Sequence, residues 1–92
     1  MSEPVFAISV AADMVAMEIQ NLRVYERHGL VAPGRTAGGT RRYSGDDIDR
    51  LHRVRDLLAA GHNLAGVARI LALEDEVAQL EAEVAELRRR RT

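Results

Sequence analysis

The polar and basic side chains between residues 20 and 43 are the strongest candidates for binding chemistry in this 92-residue chain. Gln20 and Asn21 open a segment with the pattern of a helix that Gly29 ends, and residues 33–43 have the glycines and the Arg-Arg-Tyr end expected of a tight hairpin. Polar side chains at the start of a helix can contact base edges in the major groove of DNA, while a basic hairpin can hold the backbone beside it. The sequence therefore predicts that Gln20 and Asn21 read bases.

Basic and hydroxyl side chains around that helix are candidate ligands for the phosphates of DNA. Five Arg lie between residues 20 and 43 against one acid, Glu26, so the local charge is positive although the whole chain carries a net charge of -1. Tyr25 and Tyr43 could be core residues, but each stands close to an Arg in the sequence, and that position favours a hydroxyl that reaches a phosphate. Glu26 and Arg27 are expected to face solvent or to pair within the molecule. The predicted phosphate-binding set is Ser9, Arg23, Tyr25, Arg35, Arg41, Arg42 and Tyr43.

Length and composition argue against an enzyme or a metal protein. A chain of 92 residues has room for one small domain and an additional helix, so a large catalytic cleft is not expected. The chain has no Cys, which excludes disulfides, thiolate metal sites and thiol nucleophiles. Its three His have no spacing that converges on a metal, and the acids at 46–49 suit the first turn of a helix better than a carboxylate site. We expect no catalytic activity, no cofactor and no metal.

The sequence also predicts a cytoplasmic protein. No apolar run approaches the length that spans a membrane, and the N-terminus lacks the basic-then-apolar pattern of a signal peptide. Within this length we expect no pocket for a small molecule.

Two short helices are predicted to carry the candidate side chains. Ser9 suits the N-cap of a first helix over residues 10–15, and after a short turn a second helix spans residues 18–28. Ile19 and Leu22 are about one helical turn apart, which gives the second helix an apolar face toward the core. The pair predicts a helix-turn-helix.

A wing and two further helices are predicted to follow. The glycines at 38–39 mark a turn that pairs the segments on either side as a two-strand β-wing within residues 30–43. Ser44 and Asp47 have the spacing of a capping box, which predicts a third helix with an apolar face. Asn63 suits the N-cap of a fourth helix.

Apolar residues recur with a heptad pattern from residue 70 onward and predict a dimerisation helix. A helix that folds back onto its own domain is the alternative. The flanking heptad positions are acidic at the start of the helix and basic at its end, so antiparallel pairing brings Glu74 to Arg88 of the partner subunit. We therefore expect an antiparallel coiled coil. The predicted dimerisation residues are Ile70, Leu73, Val77, Leu80, Val84 and Leu87.

These segments resemble the MerR family of winged-helix transcription regulators, and above all its heat-shock repressor branch of HspR-like proteins. The resemblance implies a mainly α fold: a winged helix-turn-helix DNA-binding domain with a small β-wing over residues 1–72, followed by a coiled-coil dimerisation helix over residues 73–92. It covers residues 6 to about 72, and the motifs that carry it are Ile8-Ser9-Val10-Ala11-Ala12, Leu22-Arg23-Val24-Tyr25-Glu26-Arg27, Gly29-Leu30-Val31, Arg35-Thr36, Gly38-Gly39, Arg41-Arg42-Tyr43-Ser44 and Asn63-Leu64-Ala65-Gly66-Val67.

The resemblance also implies a function. In that family the second helix reads the major groove, the wing holds the DNA backbone, and the C-terminal helix pairs two subunits over an inverted-repeat operator. In this chain those roles fall on the base-reading, phosphate-binding and dimerisation residues named above. The implied protein is a homodimer that binds double-stranded DNA and represses stress or chaperone genes, with a DnaK-type chaperone as co-repressor.

Two other functions remain open. A small architectural DNA-binding factor of the excisionase kind has the same winged fold and bends DNA, whereas a coiled-coil adaptor binds a protein partner through a winged helix that no longer binds DNA. Affinity for random duplex at low salt separates the adaptor from the DNA-binding proteins. A palindromic footprint separates a repressor from an architectural factor.

Overall fold

The computed structural model describes residues 5–91, and within that range the chain forms four helices and one two-stranded sheet. The predicted mainly α fold with a small wing and a long C-terminal helix is confirmed. Across the same residues, no helix combines the length and the apolar character needed to cross a membrane. The elements, in chain order, are α1 (Ile8–Val15), α2 (Ile19–Arg27), β1 (Gly34–Arg35), β2 (Arg41–Arg42), α3 (Gly45–Ala59) and α4 (Leu64–Arg90).

The core lies between α1, α2, α3 and the first part of α4. Each of these helices has apolar residues at the helical repeat, and these apolar faces meet so that their surface is removed from water. Leu22 of α2, Leu51 of α3 and Leu71 of α4 are almost entirely buried there. Because each helix contributes one face to the core, its opposite face stays at the surface.

Helix α1 begins two residues earlier than the sequence predicted. Its N-cap is Ala7, without a side-chain cap, and Ala11 N donates to Ala7 O at 2.9 Å. The cause is an isolated bridge in which Phe6 N donates to Tyr43 O at 2.9 Å and Tyr43 N donates to Phe6 O at 2.7 Å, so the chain enters the helix directly after it. Ser9 therefore lies exposed within the first turn, and the predicted N-cap role of Ser9 is wrong.

The turn between α1 and α2 depends on an unusual backbone conformation at Ala16. Ala16 is left-handed, with φ 55°, and its N–H donates to Asp13 O at 3.2 Å, which occupies one of the carbonyls left open at a helix end. A Cβ makes this conformation cost on the order of 1 kcal/mol more than it does for Gly. After α2, Gly29 takes the left-handed conformation without that cost, at φ 75°.

The wing is a short antiparallel hairpin, as predicted. Arg35 of β1 lies opposite Arg41 of β2. In the turn between the strands, Thr36 N donates to Thr40 O at 2.9 Å, and Gly39 has φ 84°, a value that favours glycine. The hairpin therefore projects two Arg side chains from neighbouring strands.

Helix α3 begins with the capping box that the sequence predicted. Ser44 Oγ accepts a hydrogen bond from Asp47 N at 3.1 Å, and Asp47 Oδ2 accepts one from Ser44 N at 2.9 Å. Ser44 is buried, so these bonds replace water as the partner of both backbone groups. The apolar face of α3 then packs into the core.

Helix α4 is one continuous helix of 27 residues. Asn63 caps it as predicted, because its Oδ1 accepts a hydrogen bond from Gly66 N at 2.8 Å. The predicted fourth helix and the predicted coiled-coil helix are parts of this single helix, which continues without a break across residues 72 and 73. Val67 and Leu71 pack into the core, whereas the part of α4 that follows residue 72 is exposed along most of its length.

Replacing Ser44 with Ala is expected to lower the free energy of unfolding by about 1 kcal/mol, because the N-cap hydroxyl bond of α3 is lost. Ser9→Ala is the matched control. Ser9 is exposed and is not the N-cap of α1, so this change is expected to stay within about 0.5 kcal/mol of the wild type. Urea unfolding followed by circular dichroism measures both variants. Equal losses in the two variants would contradict a specific capping role for Ser44.

Candidate nucleic-acid interface

The exposed face of α2 carries polar and basic side chains. Leu22 and Tyr25 are buried, whereas Gln20, Asn21 and Arg23 are exposed. Residues three or four apart lie on the same side of a helix, so Gln20 and Arg23 share the side that faces away from the core. The structure thus exposes both predicted base-reading residues, Gln20 and Asn21, on an accessible helix.

Ile19 does not take the inward position that the sequence predicted. It is 36% exposed and is not part of the core cluster. The buried side of α2 is centred between Leu22 and Tyr25, and at about 100° per residue Ile19 lies roughly 90° from that centre. The prediction that Ile19 contributes to the inward face is therefore wrong.

Glu26 of α2 ties the wing to the helix. Its Oε2 accepts a hydrogen bond from Arg35 Nη2 at 2.8 Å, and its Oε1 accepts one from Arg41 Nε. Arg35 and Arg41 face each other across the hairpin, so one carboxylate holds both strands. The hydrogen bond to Glu26 is the main cause that raises the pKa of Arg41 above its ordinary value. The predicted pairing of Glu26 within the molecule is confirmed.

The wing guanidinium groups can still bind an anion. Each carries five N–H donors, so the tie to Glu26 occupies only part of Arg35 and Arg41. Arg35 Nη1 also donates to Gly39 O at 3.3 Å, and Arg42 Nη1 donates to Arg41 O at 3.3 Å. Within the described residues, Arg41 donates through Nε, which leaves its two Nη groups for an outside acceptor. The side chains of Arg35 and Arg41 are 45% and 30% exposed, so a ligand can approach both.

Tyr43 lies in the core. It is 0% exposed, and its hydroxyl oxygen is shielded from solvent without a hydrogen-bond partner among residues 5–91. A hydroxyl enclosed in this way cannot reach a phosphate, so the predicted phosphate contact of Tyr43 is wrong for this conformation. The backbone bridge to Phe6 accounts for the difference, because it draws the end of the wing toward the core. Burial is the main cause that raises the pKa of Tyr43, and the nearby Glu26 carboxylate adds to it.

Two other predicted phosphate ligands lie outside the wing. Ser9 is exposed in the first turn of α1. Tyr25 is 7% exposed, and burial raises its pKa, so its ring belongs to the core. A phosphate contact by either hydroxyl stays a prediction.

Two Arg of α3 fix α4 to the rest of the fold, a role that the sequence did not indicate. Arg50 donates from Nε to Leu30 O and from Nη1 to Asp75 Oδ1, both at 2.8 Å. Arg53 pairs with Glu74, and this hydrogen bond is the main cause that lowers the pKa of Glu74 below its ordinary value. The ion-pair partners are 25 and 21 residues apart, so no local pattern links them. Glu74, expected to pair with a partner subunit, thus has an ion pair within its own subunit.

The heptad residues beyond Ile70 form an exposed apolar stripe on α4. A groove of about 430 Å³ lies among Val77, Leu80 and Val84, with Glu81 and Arg88 at its edge. The helix does not fold back onto its own domain, so that alternative is wrong. Ile70 differs from the others because it packs against the core of its own subunit. The residues of the stripe, which are 41% to 58% exposed, are Leu73, Val77, Leu80, Val84 and Leu87.

A second cleft, of about 330 Å³, lies between the end of α2 and the start of α3. Arg50 lines it, and this side chain is held by Leu30 O and Asp75. Among residues 5–91, no group of three or more His, Cys, Asp or Glu side chains is arranged to hold a metal ion.

The fold and its exposed face match a known family. Residues 6–74 match the MerR HTH family of regulatory proteins. The chain belongs to this family. It is 53% identical over 85 residues to the heat shock protein HspR of Streptomyces coelicolor, an alignment that covers 91% of this chain and 56% of HspR. The resemblance inferred from the sequence motifs is therefore confirmed.

Solved structures that share the fold of this MerR-family chain include two regulators of known context. The transcription regulator PbrR691 of Ralstonia metallidurans, solved with lead(II), is 26% identical with a TM-score of 0.74, and the match covers 91% of this chain and 73% of PbrR691. HiNmlR, a MerR family regulator that lacks the sensor domain and was solved bound to promoter DNA, is 23% identical with a TM-score of 0.65. That match covers 97% of this chain and 77% of HiNmlR. This chain spans just over half of the length of its heat shock relative.

In this MerR-family chain, Tyr43→Phe is expected to raise the free energy of unfolding by about 1 kcal/mol, because it removes a buried hydroxyl without a partner. The raised pKa of the Tyr43 hydroxyl predicts a second effect, a dependence of the free energy of unfolding on pH. Because the folded-state pKa of Tyr43 lies above its unfolded-state value near 10.0, the free energy of unfolding of the wild type is unaffected by this group below that value and falls as the pH rises through the higher folded-state value. Urea unfolding of wild type and variant at neutral and at alkaline pH measures both effects.

The variant is expected to lose stability less steeply than the wild type in alkaline solution, because Phe has no proton to release. A Tyr43→Phe protein that is less stable than the wild type at neutral pH would show that the hydroxyl is hydrogen-bonded after all.

Proposed function

We propose that this chain is a homodimeric, sequence-specific DNA-binding transcription regulator. The observation that carries the proposal is the joined surface of α2 and the wing, where Glu26 holds Arg35 and Arg41 beside an exposed helix face with Gln20 and Arg23. Such a helix fits the major groove, and the cations beside it fit the DNA backbone. HiNmlR, a protein of the same fold, was solved bound to promoter DNA, which supports this use of the fold.

The proposed contacts divide into two kinds. Gln20 and Asn21 read bases, because their amides offer a donor and an acceptor in the arrangement that adenine complements. The phosphate ligands position the protein without reading sequence. Exposed Arg side chains on α2 and the wing support this assignment most strongly. The full proposed set of phosphate ligands is Ser9, Arg23, Tyr25, Arg35, Arg41 and Arg42.

We propose that residues 73–92 pair two copies of the chain while residues 1–72 bind DNA. An apolar stripe on one long helix needs a second surface to bury it. The positions beside the stripe are acidic at the start and basic at the end, which suits a second, antiparallel copy even though Glu74 also pairs with Arg53 of its own subunit. A two-fold dimer presents two α2 helices related by symmetry. Its natural binding site is an inverted repeat.

The regulated genes are proposed from similarity alone. The 53% identity to HspR supports a repressor of stress or chaperone genes that acts in the cytoplasm, with a DnaK-type chaperone as co-repressor. A MerR-family chain whose exposed groups suit DNA has no need of a catalytic centre. We therefore propose that the protein is not an enzyme.

The test separates base readout from phosphate contact. The probe is a duplex that the wild-type chain selects from a random pool, and binding to it is compared with binding to random duplex. Gln20→Ala is expected to cost about 1–3 kcal/mol on the selected duplex alone, because an amide that reads a base adds little on other sequences. Gln79→Ala, which removes an exposed Gln of α4, is the matched control and should change neither affinity.

In the same assay, Arg41→Ala is expected to weaken binding to both duplexes and to lower the salt slope by about one unit, because one phosphate contact releases about one counterion. Glu26→Gln controls for the position of the wing, since it removes the negative charge that ties Arg41 while leaving Arg41 in place. Its salt slope should not fall. Equal losses of Gln20→Ala on both duplexes would refute base readout by α2, and no binding at low salt would favour the adaptor.

A further inference from the structure

Ile19 is an aliphatic side chain at the start of the helix that faces DNA in the proposed function. Among the nine residues of α2, it is the one large hydrophobic side chain that is exposed, at 36%. It lies outside the core cluster, so core packing does not account for it. The first turn of a helix favours polar and acidic side chains, because its N–H groups are open there. Core packing therefore leaves more than a third of Ile19 exposed and available to a ligand.

The geometry of α2 places Ile19 beside the proposed DNA ligands. Gln20 follows it directly, and Arg23 lies one helical turn further along the same edge of the helix. The centre of the buried side, between Leu22 and Tyr25, lies about 90° from Ile19, which places Ile19 at the edge between the buried and the exposed sides of α2. Helical side chains also lean toward the N-terminus, so the side chain of Ile19 extends toward whatever the start of α2 approaches.

The major groove offers one apolar group to such a side chain. Each base pair presents donors and acceptors there, and thymine adds its C5-methyl. A recognition helix contacts base edges with its N-terminal residues. We propose that Ile19 contacts a thymine C5-methyl beside the base that Gln20 reads, which makes Ile19 a specificity-determining residue. The inference rests on the proposed function, because α2 must enter the major groove.

Uracil substitution tests this contact at the level of one methyl group. In the duplex that the wild-type chain selects from a random pool, each thymine of one half-site is replaced in turn by deoxyuridine, which lacks only the C5-methyl. At one position, the replacement is expected to weaken wild-type binding about fourfold to fifteenfold, the range for burying one or two carbon groups. For the protein variants used with these duplexes, circular dichroism checks that each one keeps the helix content of the wild type.

Two variants decide whether Ile19 makes the contact. Ile19→Ala should weaken binding to the thymine duplex by a similar factor and should then show no further loss when that thymine becomes uracil. Val10→Ala is the matched control, because Val10 is an exposed aliphatic residue of α1. It should keep the full effect of the uracil replacement.

The outcomes that overturn the inference are distinct from those that overturn the proposed function. A selected half-site without thymine overturns the role of Ile19, and so does a uracil effect that is the same in wild type and Ile19→Ala. In both cases sequence-selective binding persists and the proposed function stands. A wild-type chain that selects no sequence from the pool overturns the proposed function, and the role of Ile19 with it.

Discussion

The division of the apolar surface of α4 is the constraint on which the rest of the molecule depends. The start of the helix places Val67 and Leu71 in the core, but the stripe between Leu73 and Leu87 stays at the surface of the subunit. Monomeric surfaces carry scattered hydrophobic residues, and a continuous stripe along one helix is typical of an interface. Burying such area contributes about 25 cal/mol per Å². In the proposed dimer, a second copy of the chain buries the stripe and so adds this stabilisation. Because the same helix also contributes to the core, the core of each subunit and the proposed dimer interface are parts of one rigid element.

Hydrogen bonds and ion pairs of a few charged side chains fix the position of α4 relative to α2 and the wing. Arg50 contacts both Leu30, just after α2, and Asp75 on α4, so one side chain spans the two regions. Glu26 does the same between α2 and the wing. Exposed ion pairs contribute little to stability individually, so we infer that their main effect is to set relative positions. Those positions matter because the separation of two recognition helices determines the spacing of the half-sites.

The sequence predicted the features that depend on neighbours along the chain. The capping box of Ser44, the cap at Asn63 and the end of α2 near Gly29 depend on local sequence, and each is confirmed. The errors concern residues whose environment is set by distant contacts: the bridge of Phe6 to Tyr43 moved the start of α1 away from Ser9 and buried Tyr43. The sequence wrongly predicted that Ile19 faces the core. The spacing of apolar residues shows which side of a helix is apolar, but packing against the other helices determines where the centre of the buried side lies. The exposed polar face of α2 could be predicted, whereas the tie of Glu26 to two Arg required the folded hairpin.

Disulfide crosslinking tests the antiparallel dimer most directly, and the chain has no Cys of its own to interfere. In the antiparallel register that sets Val77 against Leu87 of the partner subunit, Leu73 lies beside Arg91 of the partner subunit. A mixed dimer of Leu73→Cys and Arg91→Cys subunits should therefore crosslink readily under mild oxidation. Two Leu73→Cys subunits should not, because their Cα atoms would lie about 27 Å apart, far beyond the reach of a disulfide. Efficient bridging between two Leu73→Cys subunits would show that the helices run parallel, and it would contradict the antiparallel dimer proposed from the stripe and its flanking charges.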